Sequence, residues 1–399
     1  MANETIRKEQ QEEKWNDNTE LDFLYLNEQD MLEAGVMEAG RCVDVMEEAM
    51  GLFSDGDYIM GGPNHNSHGL VLEFPPKSNI TNFPINDSKD RRFTAMPAYL
   101  GGRFHMAGEK WYGSNGRNVK RGIPRSILMV MLNDVETGAP LAFMSANLLS
   151  AMRTGAMPGL AAKLLAKKDP KILSMVGAGV IARTSSMAIL SKHPTIDTIR
   201  IKGSSPDSRS ARELKEYITQ HYPHITQIII CKTLEEAVCG ADIICEAASV
   251  KKGQWPRFER KWLEPGALVI SASVFDMEHQ DMIDVKKVVD DYSMFENYTV
   301  EDEQSIGRND DGTHQASGCL GEDFAYMVKD GLIERNSIAN IGDIVRGRCE
   351  GRISEDEIIF VAIEGMSIED VAWGYECYRR AQKDGIGTKL LLWDKPHLH

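Results

Sequence analysis

Apolar and polar positions alternate along the first third of the chain with the two-residue period of β-strands. Asn27 stands where it can cap a helix that begins near Glu28, and a second helix is predicted over 42–53. Residues 133–138 have the composition of a hairpin loop. The predicted strands are 22–27, 70–74, 93–100, 103–111, 126–132 and 140–145. Together they predict a sheet of antiparallel style.

From residue 147 onward the pattern changes to strands that alternate with helices. An Ala- and Leu-rich helix is predicted over 147–168 and leads out of the first domain. The strands predicted after it are 172–176, 196–202, 225–230, 242–246, 267–271 and 287–291. This alternation is typical of a doubly wound parallel sheet.

The tail beyond about residue 344 carries three further elements. A strand over 357–363, a helix over 368–383 and a final strand over 388–393 are predicted. Because no second array of alternating strands and helices occurs there, we expect the tail to rejoin the first domain. The predicted division is a polar extension over 1–21, a discontinuous α+β domain over 22–147 and 345–399, and a parallel-sheet domain over 148–344.

A glycine-rich turn joins the first parallel strand to the helix after it. The apolar run 171–176 ends in a Gly-x-Gly-x-x-Ala pattern that closes at Ala182. In such a unit the first glycine permits a sharp turn, the second lets a pyrophosphate approach the backbone, and the small third residue lets the helix pack on the strand. An ordinary glycine turn is the alternative. The flanking elements favour a Rossmann dinucleotide site held by Gly177, Ala178, Gly179, Val180 and Ile181.

The end of the second parallel strand bears on which nicotinamide cofactor binds. Sites for NAD usually place an acidic residue there to bind the ribose 2′-hydroxyl, whereas sites for NADP place hydroxyls and cations. In this chain, Asp207 lies too far beyond the end of the strand to suit binding of the ribose 2′-hydroxyl. A solvated loop with ordinary charges would also fit this stretch. The sequence favours NADP over NAD, with the 2′-phosphate held by Lys202, Ser204, Ser205 and Arg209.

Three charged residues are candidates for substrate chemistry. Lys110 lies in a strand of small and aromatic residues, where a partly desolvated ammonium can bind a carboxylate or move a proton. Arg153 lies in a helix of small residues and can fork onto a carboxylate. Asp276 follows the fifth parallel strand, at the sheet end where α/β proteins bind ligands. On spacing alone, a solvent-exposed lysine, a surface arginine and a turn-forming aspartate stay open as alternatives.

Composition narrows the class of protein. The 399 residues include 45 Lys and Arg against 60 Asp and Glu, a formal charge of −15, which disfavours nucleic acid and anionic membranes as partners. No apolar run approaches the roughly 18 residues of a membrane-spanning helix, and the first residues lack the apolar core of a signal peptide. The seven cysteines are scattered, and no metal site is expected. We expect a cytoplasmic protein.

Several colinear segments between Leu24 and Trp393 form a recognisable set. They are 96–99, 108–110, 133–138 with 140–142, 152–156, 176–179, Asp276 and 342–343. Together they resemble the ornithine cyclodeaminase/μ-crystallin family. The resemblance implies a homodimer, in which a substrate and dimerisation domain built from both chain ends flanks a central Rossmann domain. It also implies oxidation or reduction at a carbon that bears nitrogen.

The resemblance assigns roles by position. Lys110 and Arg153 would hold the substrate carboxylate, and Asp276, with Lys110, would move protons at the reacting nitrogen. The implied substrate is a small amine, an amino acid or a cyclic imine, and the implied cofactor is NADP or NAD. Met96 and Asn66 are added as substrate contacts, and Thr154, Ala248 and Ser273 as cofactor contacts.

Two departures from the family pattern leave the substrate open. The stretch 63–68 lacks an upstream arginine that often joins the carboxylate clamp, and Thr94 stands where cyclising members tend to have an acid. An amine without a carboxylate, or a bulkier amino acid, would suit the missing cation, with Trp111 and Tyr112 as an aromatic wall.

Two other activities stay open beside the oxidoreductase. One is a cyclodeaminase, an ammonia-lyase that acts on ornithine or a similar diamino acid. The other is a non-catalytic NADP-dependent ligand-binding protein or an accessory subunit of an amine oxidase. Residues 61–69, 109–115 and 387–394 resemble the tyramine oxidase branch of the family, which agrees with that last alternative.

Overall fold

The computed structural model describes residues 19–62, 69–88, 90–250, 253–305 and 318–398. The strands are β1 (Leu21–Leu26), β2 (Tyr58–Met60), β3 (Leu70–Glu73), β4 (Arg92–Leu100), β5 (Met106–Ser114), β6 (Ser126–Asp134), β7 (Pro140–Ser145), β8 (Ile172–Val176), β9 (Thr198–Lys202), β10 (Gln227–Ile230), β11 (Ile243–Glu246), β12 (Leu268–Ser271), β13 (Lys286–Val289), β14 (Ile338–Asn340), β15 (Ile359–Ala362) and β16 (Thr388–Trp393). The helices are α1 (Glu28–Glu33), α2 (Ala39–Asp55), α3 (Asn147–Leu165), α4 (Val180–Lys192), α5 (Arg209–His221), α6 (Leu234–Val238), α7 (His279–Met282), α8 (Tyr292–Ser305), α9 (Leu320–Lys329), α10 (Ile341–Val345) and α11 (Ser367–Asp384).

The first sheet has the strand order β16-β1-β7-β6-β5-β4-β2, with β3 also paired to β4. Strands β4 to β7 form the predicted antiparallel meander, and β1 joins it in parallel with β7. The predicted cap is confirmed, because the Asn27 side chain accepts hydrogen bonds from the backbone N–H groups of Gln29 and Asp30. The 133–138 hairpin is confirmed as well, since Gly138 N donates to Asp134 O at 2.9 Å.

The two faces of the first sheet have different surroundings. Helix α11 packs against β4 and β5, and Val371 of this helix lies close to Gly108. Lys110 therefore lies on the covered face, whereas Trp111 points to the opposite face and stacks on Phe93 with ring centroids 5.6 Å apart. The expectation that Trp111 lines the substrate site is wrong, because successive side chains of a strand point to opposite faces.

The second sheet has the order β10-β9-β8-β11-β12-β15-β13-β14, and its strands are parallel. The first five strands follow the 3-2-1-4-5 order of a Rossmann domain, which confirms the predicted α/β class with a doubly wound parallel sheet. Its predicted first strand, 172–176, coincides with β8.

The tail divides between the two sheets. Helix α11 packs on the first sheet and β16 pairs with β1, as predicted for the tail. Strand β15, however, lies between β12 and β13 of the second sheet, so its assignment to the discontinuous domain is wrong. Every residue of β15 is buried, and a strand that is apolar on both faces is typical of the centre of a parallel sheet.

The described residues offer neither a membrane-spanning helix nor a metal-binding cluster. None of the helices in these ranges is long and apolar enough to cross a bilayer. The same residues hold no cluster of three or more His, Cys, Asp or Glu side chains placed to bind a metal ion.

Candidate functional site

The glycine turn between β8 and α4 has the backbone geometry that a dinucleotide needs. Gly177 adopts a φ of +101°, and a Cβ there would lie 2.7 Å from the carbonyl oxygen of Ala247. Gly179 is the N-cap of α4, and within the described chain a Cβ at Gly179 would meet no atom within 4 Å. Ala182 is fully buried. The first glycine is therefore required by the fold, and the second leaves open space beside the N-terminus of α4, where N–H groups favour an anion.

Helix α3 is held close to this turn by its small residues. A Cβ at Gly155 would lie 2.3 Å from Thr184 Oγ1, and one at Gly159 would lie 2.6 Å from the Ala188 side chain. The close approach of α3 and α4 places Arg153 and Thr154 beside the first turn of α4. This packing brings Arg153 and Thr154, from the predicted substrate and cofactor sets, to the glycine turn.

A cavity of about 520 Å³ extends from the glycine turn towards the end of β9. Its lining includes Gly177, Ala178, Gly179, Lys202, Ser204 and Ala248 from the predicted cofactor set, together with Ser210. No Asp or Glu is found among the described residues that line this cavity. Ser205 and Arg209 do not reach it, and Arg209 is 88% exposed and paired with Glu213 at 2.7 Å.

A buried glutamate, Glu246, holds the loop beside the smaller cavity. Glu246, at the end of β11, accepts a hydrogen bond from Ala248 N at 2.7 Å and another from Ser271 Oγ at 2.9 Å. Ser273 Oγ donates to Ala248 O at 3.2 Å. Burial raises the pKa of Glu246 to about 8, so the side chain is mainly protonated at neutral pH. Glu246 thus fixes the loop that carries Ala248.

A second cavity, of about 880 Å³, lies between the first turn of α4 and the covered face of the first sheet. Residues from four elements meet in its lining, namely Gly179, Val180 and Ile181 of the glycine turn, Ser150, Arg153 and Thr154 of α3, Met96 of β4, and Lys110 and Tyr112 of β5. The structure therefore brings the predicted substrate and cofactor groups to one cavity. Asn66 lies outside the described residues.

Lys110 and Arg153 are both buried, with 3% and 4% of their surfaces exposed. Lys110 Nζ lies 2.8 Å from Asp370 Oδ2 and 3.5 Å from Ser150 Oγ. Arg153 donates from Nε to Asp370 Oδ1 at 3.0 Å and from Nη1 to Glu369 Oε2 at 2.8 Å. Both cations are fixed by the first turn of α11, which contradicts the exposed positions that spacing alone left open.

Burial and neighbouring charges shift the ionisation of this cluster. The pKa of Lys110 is lowered to about 8 by burial and by the nearby Arg153, against the opposing effect of Asp370. Burial, opposed by Arg153, raises the pKa of Glu369 to about 7. Lys110 therefore exchanges its proton near physiological pH, which suits a group that moves protons in a reaction.

Sequence reasoning missed the acidic partners of this cluster. Glu369 and Asp370 begin a helix whose position was predicted, but no sequence pattern pairs them with residues of β5 and α3. Glu364, in the turn after β15, also lines the larger cavity, and burial together with Asp290 raises its pKa to about 7. The sequence did offer a signal for Glu364, because an acid that follows a continuous apolar strand lies at the sheet end where α/β proteins bind ligands.

Asp276 lies apart from these groups. It is absent from the described lining of both cavities, and its Oδ2 accepts a hydrogen bond from Arg257 Nη1 at 2.7 Å. The Asp276 side chain is 44% exposed. Burial and the proximity of Asp276 raise the pKa of Asp323, on α9, to about 7. The proton-moving role of Asp276 stays a prediction.

The model of the ornithine cyclodeaminase/mu-crystallin family matches residues 36–385. The chain belongs to this family, which confirms the identification made from the sequence.

Among curated relatives, N-((2S)-2-amino-2-carboxyethyl)-L-glutamate dehydrogenase of Staphylococcus aureus is 29% identical over 93% of this chain and 99% of its own length. Alanine dehydrogenase of Archaeoglobus fulgidus is 27% identical over 74% of this chain and 82% of its own.

Solved structures share the fold. An archaeal alanine dehydrogenase dimer with bound NAD has a TM-score of 0.71 at 24% identity, covering 94% of this chain and 100% of that chain. Thermococcus litoralis Δ1-pyrroline-2-carboxylate reductase, in complex with NADH and L-proline, has a TM-score of 0.70 at 24% identity, covering 92% and 99%.

Proposed function

We propose that this protein is an NAD(P)-dependent oxidoreductase that acts on the C–N bond of a small amino or imino acid. The observation that carries the proposal is the single cavity lined by both the first turn of α4 and the pair Lys110 and Arg153. A cofactor bound at the turn and a carboxylate bound at the cations would meet there. The dehydrogenase names of the two curated relatives agree with this class of reaction.

The chain's own residues fit a dinucleotide. The N–H groups at the start of α4 would face the pyrophosphate, while Gly177 and Gly179 keep space for it and Thr154, Ala248 and Ser273 flank the turn. A nicotinamide held there would supply a hydride to the substrate carbon or take one from it. The chain's own residues would position the substrate and exchange the proton on its nitrogen.

Lys110 and Arg153 supply the substrate chemistry. Because Asp370 and Glu369 hold the guanidinium of Arg153 in place, a carboxylate that enters the cavity meets a fixed cation. Lys110, with its lowered pKa, is the group that gives a proton to the substrate nitrogen or takes one from it. Met96 packs beside them from the opposite strand, in register with Lys110. Asp276 is proposed as a second proton-moving group.

NADP is the cofactor that the smaller cavity favours. Lys202, Ser204 and Ser210 line it near the end of β9, where an NAD site would usually carry an acid. Hydroxyls and an ammonium suit a 2′-phosphate.

A homodimer is also part of the proposal. The open face of the first sheet exposes a set of large apolar side chains that are 36% to 48% exposed, namely Tyr25, Phe93, Trp111, Ile127 and Leu390. An apolar face of this kind suits a second copy of the chain. The solved archaeal alanine dehydrogenase is described as a dimer.

Lys110→Met tests the assignment of Lys110. The variant is expected to lose about 10²-fold or more in kcat/KM for its amino or imino acid while the dissociation constant for the cofactor stays unchanged. Lys163→Met, which removes a surface lysine paired with Asp44 and Glu47, is the matched control. A Lys110→Met enzyme with unaltered kinetics would remove Lys110 from the proposed mechanism.

A further inference from the structure

We infer that the substrate carries a second carboxylate, bound by four cations on the outer part of the larger cavity. These cations, here called the outer cationic wall, are Arg92, Arg117, Lys120 and Arg125. The inference rests on the proposed function, because it extends the substrate class of the same cavity. It replaces the expectation of a substrate that has no carboxylate.

The outer cationic wall is built from segments that frame the cavity entrance. Arg92 begins β4, Arg117 and Lys120 lie on a short 3-10 helix over Gly116–Arg121, and Arg125 directly precedes β6. Gly122, in a left-handed conformation with φ of +76°, ends that helix and turns the chain towards Arg125. The segments before β4 and between β5 and β6 therefore deliver their cations to one entrance.

Each aspartate of the entrance is shared between two arginines. Asp90 pairs with Arg92 at 3.2 Å and with Arg125 at 3.0 Å. One carboxylate cannot neutralise two guanidinium groups, so this trio keeps an excess positive charge. The trio also keeps Arg92 and Arg125 in place before a ligand arrives.

The second aspartate repeats the arrangement. Asp87 pairs with Arg91 at 2.9 Å and also with Arg117. Lys120 makes no ion pair with any carboxylate of the described chain. Two shared aspartates and one unpaired lysine leave the outer cationic wall with more positive than negative charge.

The whole lining of the cavity shows the same excess. Six cationic residues line it, namely the outer cationic wall with Lys110 and Arg153, against three acidic ones, Asp87, Asp90 and Glu364. Because Glu369 and Asp370 pair with Lys110 and Arg153 from behind the lining, the excess positive charge belongs to the outer cationic wall. The chain as a whole has a formal charge of −15. A cavity that concentrates cations in an acidic protein selects anionic ligands by electrostatic attraction.

The spacing of the two cation groups sets the kind of ligand. Lys110 is in register with Met96 on β4, and Arg92 lies four residues before Met96 on the same face. Four residues of strand span roughly 13 Å, and the long side chain of arginine can reach across part of that distance. Thr94, between them, is small, and its hydroxyl has no hydrogen-bond partner among the described residues. The arrangement fits a ligand with two carboxylates several bonds apart.

The test is isothermal titration calorimetry of the full chain loaded with NADP⁺. Glutarate and adipate are compared with pentanoate and hexanoate, which have the same chain lengths and one carboxylate fewer. We expect each dicarboxylate to bind about tenfold or more tightly than its monocarboxylate, as charge-assisted hydrogen bonds predict. Arg92→Gln and Arg125→Gln should each reduce that ratio, and Arg121→Gln, on the same 3-10 helix but outside the lining, should not.

Three results would overturn the inference. The first is equal affinity for each dicarboxylate and its matched monocarboxylate. The second is an unchanged ratio of these affinities in Arg92→Gln and Arg125→Gln. The third is a loss of NADP⁺ affinity in these variants with no change in that ratio, which would assign the cations to the cofactor. Arg125 is half exposed, so Arg125→Gln keeps the test valid if Arg92→Gln does not fold. If the dicarboxylates bind no more tightly than the monocarboxylates while the enzyme still turns over a substrate, only this inference is rejected. If the dicarboxylates bind more tightly but no substrate is turned over, the proposed function is rejected instead.

Discussion

Lys110 Nζ lies 2.8 Å from Asp370 Oδ2, and the other carboxylate oxygen of Asp370 accepts a hydrogen bond from Arg153. One aspartate from the tail helix therefore connects the two cations of the proposed substrate site. Without α11, two buried cations would face each other with no counterion, which is costly in a desolvated site.

Asp370→Asn tests this relationship through the pH dependence of the reaction. If Lys110 must be protonated, kcat/KM should fall as pH rises above about 8, its pKa in the folded protein. Removing the negative charge of Asp370 lowers that pKa further, so this falling limb of the pH profile should move to lower pH by about one unit or more. Glu369→Gln, which loses the contact to Arg153 only, should move the limb less. An unmoved limb in Asp370→Asn would contradict the assignment of the limb to Lys110.

Asp276→Asn tests the role predicted for this aspartate. The variant should lose about 10²-fold or more in turnover while cofactor affinity stays nearly intact. Glu278→Gln is the matched control, because Glu278 shares Arg257 with Asp276. If the two variants had the same kinetics as the parent enzyme, Asp276 would be a structural partner of Arg257 and no more.

Ser204→Asp tests the preference for NADP. An added carboxylate in the smaller cavity would repel the 2′-phosphate and could accept a hydrogen bond from the ribose hydroxyl of NAD. The ratio of kcat/KM for NADP to that for NAD should fall by about tenfold or more, because about 1.4 kcal/mol of repulsion between the two negative charges corresponds to a tenfold change. Ser205→Asp, one residue outside the cavity lining, should change the ratio little. Equal ratios in the two variants would reject the assignment of Ser204.

Glu246→Gln tests the buried acid at the end of β11. The pKa of Glu246 is raised to about 8 in the folded protein, so the folded state binds more protons than the unfolded state between about pH 4.5 and pH 8. The stability gained from the neutral form is therefore complete below that window and is lost as pH rises through it. One proton corresponds to at most about 1.4 kcal/mol of unfolding free energy per pH unit.

The measurement for Glu246 is chemical denaturation across this pH window. Glutamine keeps an acceptor for Ala248 N and an N–H for Ser271, so Glu246→Gln should fold and show a shallower loss of stability with pH. Glu235→Gln, at an exposed position of α6, should keep the slope of the parent. Equal slopes in the parent and in Glu246→Gln across this window would contradict the raised pKa of Glu246.

Local signals in the sequence predicted much of the fold. Asn27 capped its helix, and the Gly177 turn followed a strand whose bounds were predicted, because caps and tight turns depend on neighbouring residues. Strand β15 was misplaced because its partners, β12 and β13, come much earlier in the chain. Its continuous apolar run was the evidence for a central parallel strand, and that evidence outweighs the lack of a second α/β array.

The candidate site was predicted only in part. Lys110 and Arg153 were predicted as candidates and line the larger cavity, but their burial depends on Glu369 and Asp370, which approach from a distant helix. Trp111 was expected in an aromatic wall with Tyr112, but strand alternation puts the two neighbours on opposite faces, and only Tyr112 lines the cavity. The arginine sought within 63–68 has no counterpart there in the sequence, whereas Arg92 reaches the cavity from β4, a contact that only the strand register reveals.

The most direct test of the proposed function is the ultraviolet absorbance of the reduced nicotinamide during turnover. Purified protein is mixed with each of NAD⁺, NADP⁺, NADH and NADPH and with a panel of amines, amino and imino acids, and products are identified by mass spectrometry. We expect one reduced cofactor to be consumed or formed for each substrate molecule converted. Ammonia release with a cyclic product and no net change in cofactor would establish a cyclodeaminase instead. Cofactor binding without turnover of any substrate would contradict catalysis and favour a ligand-binding or accessory role.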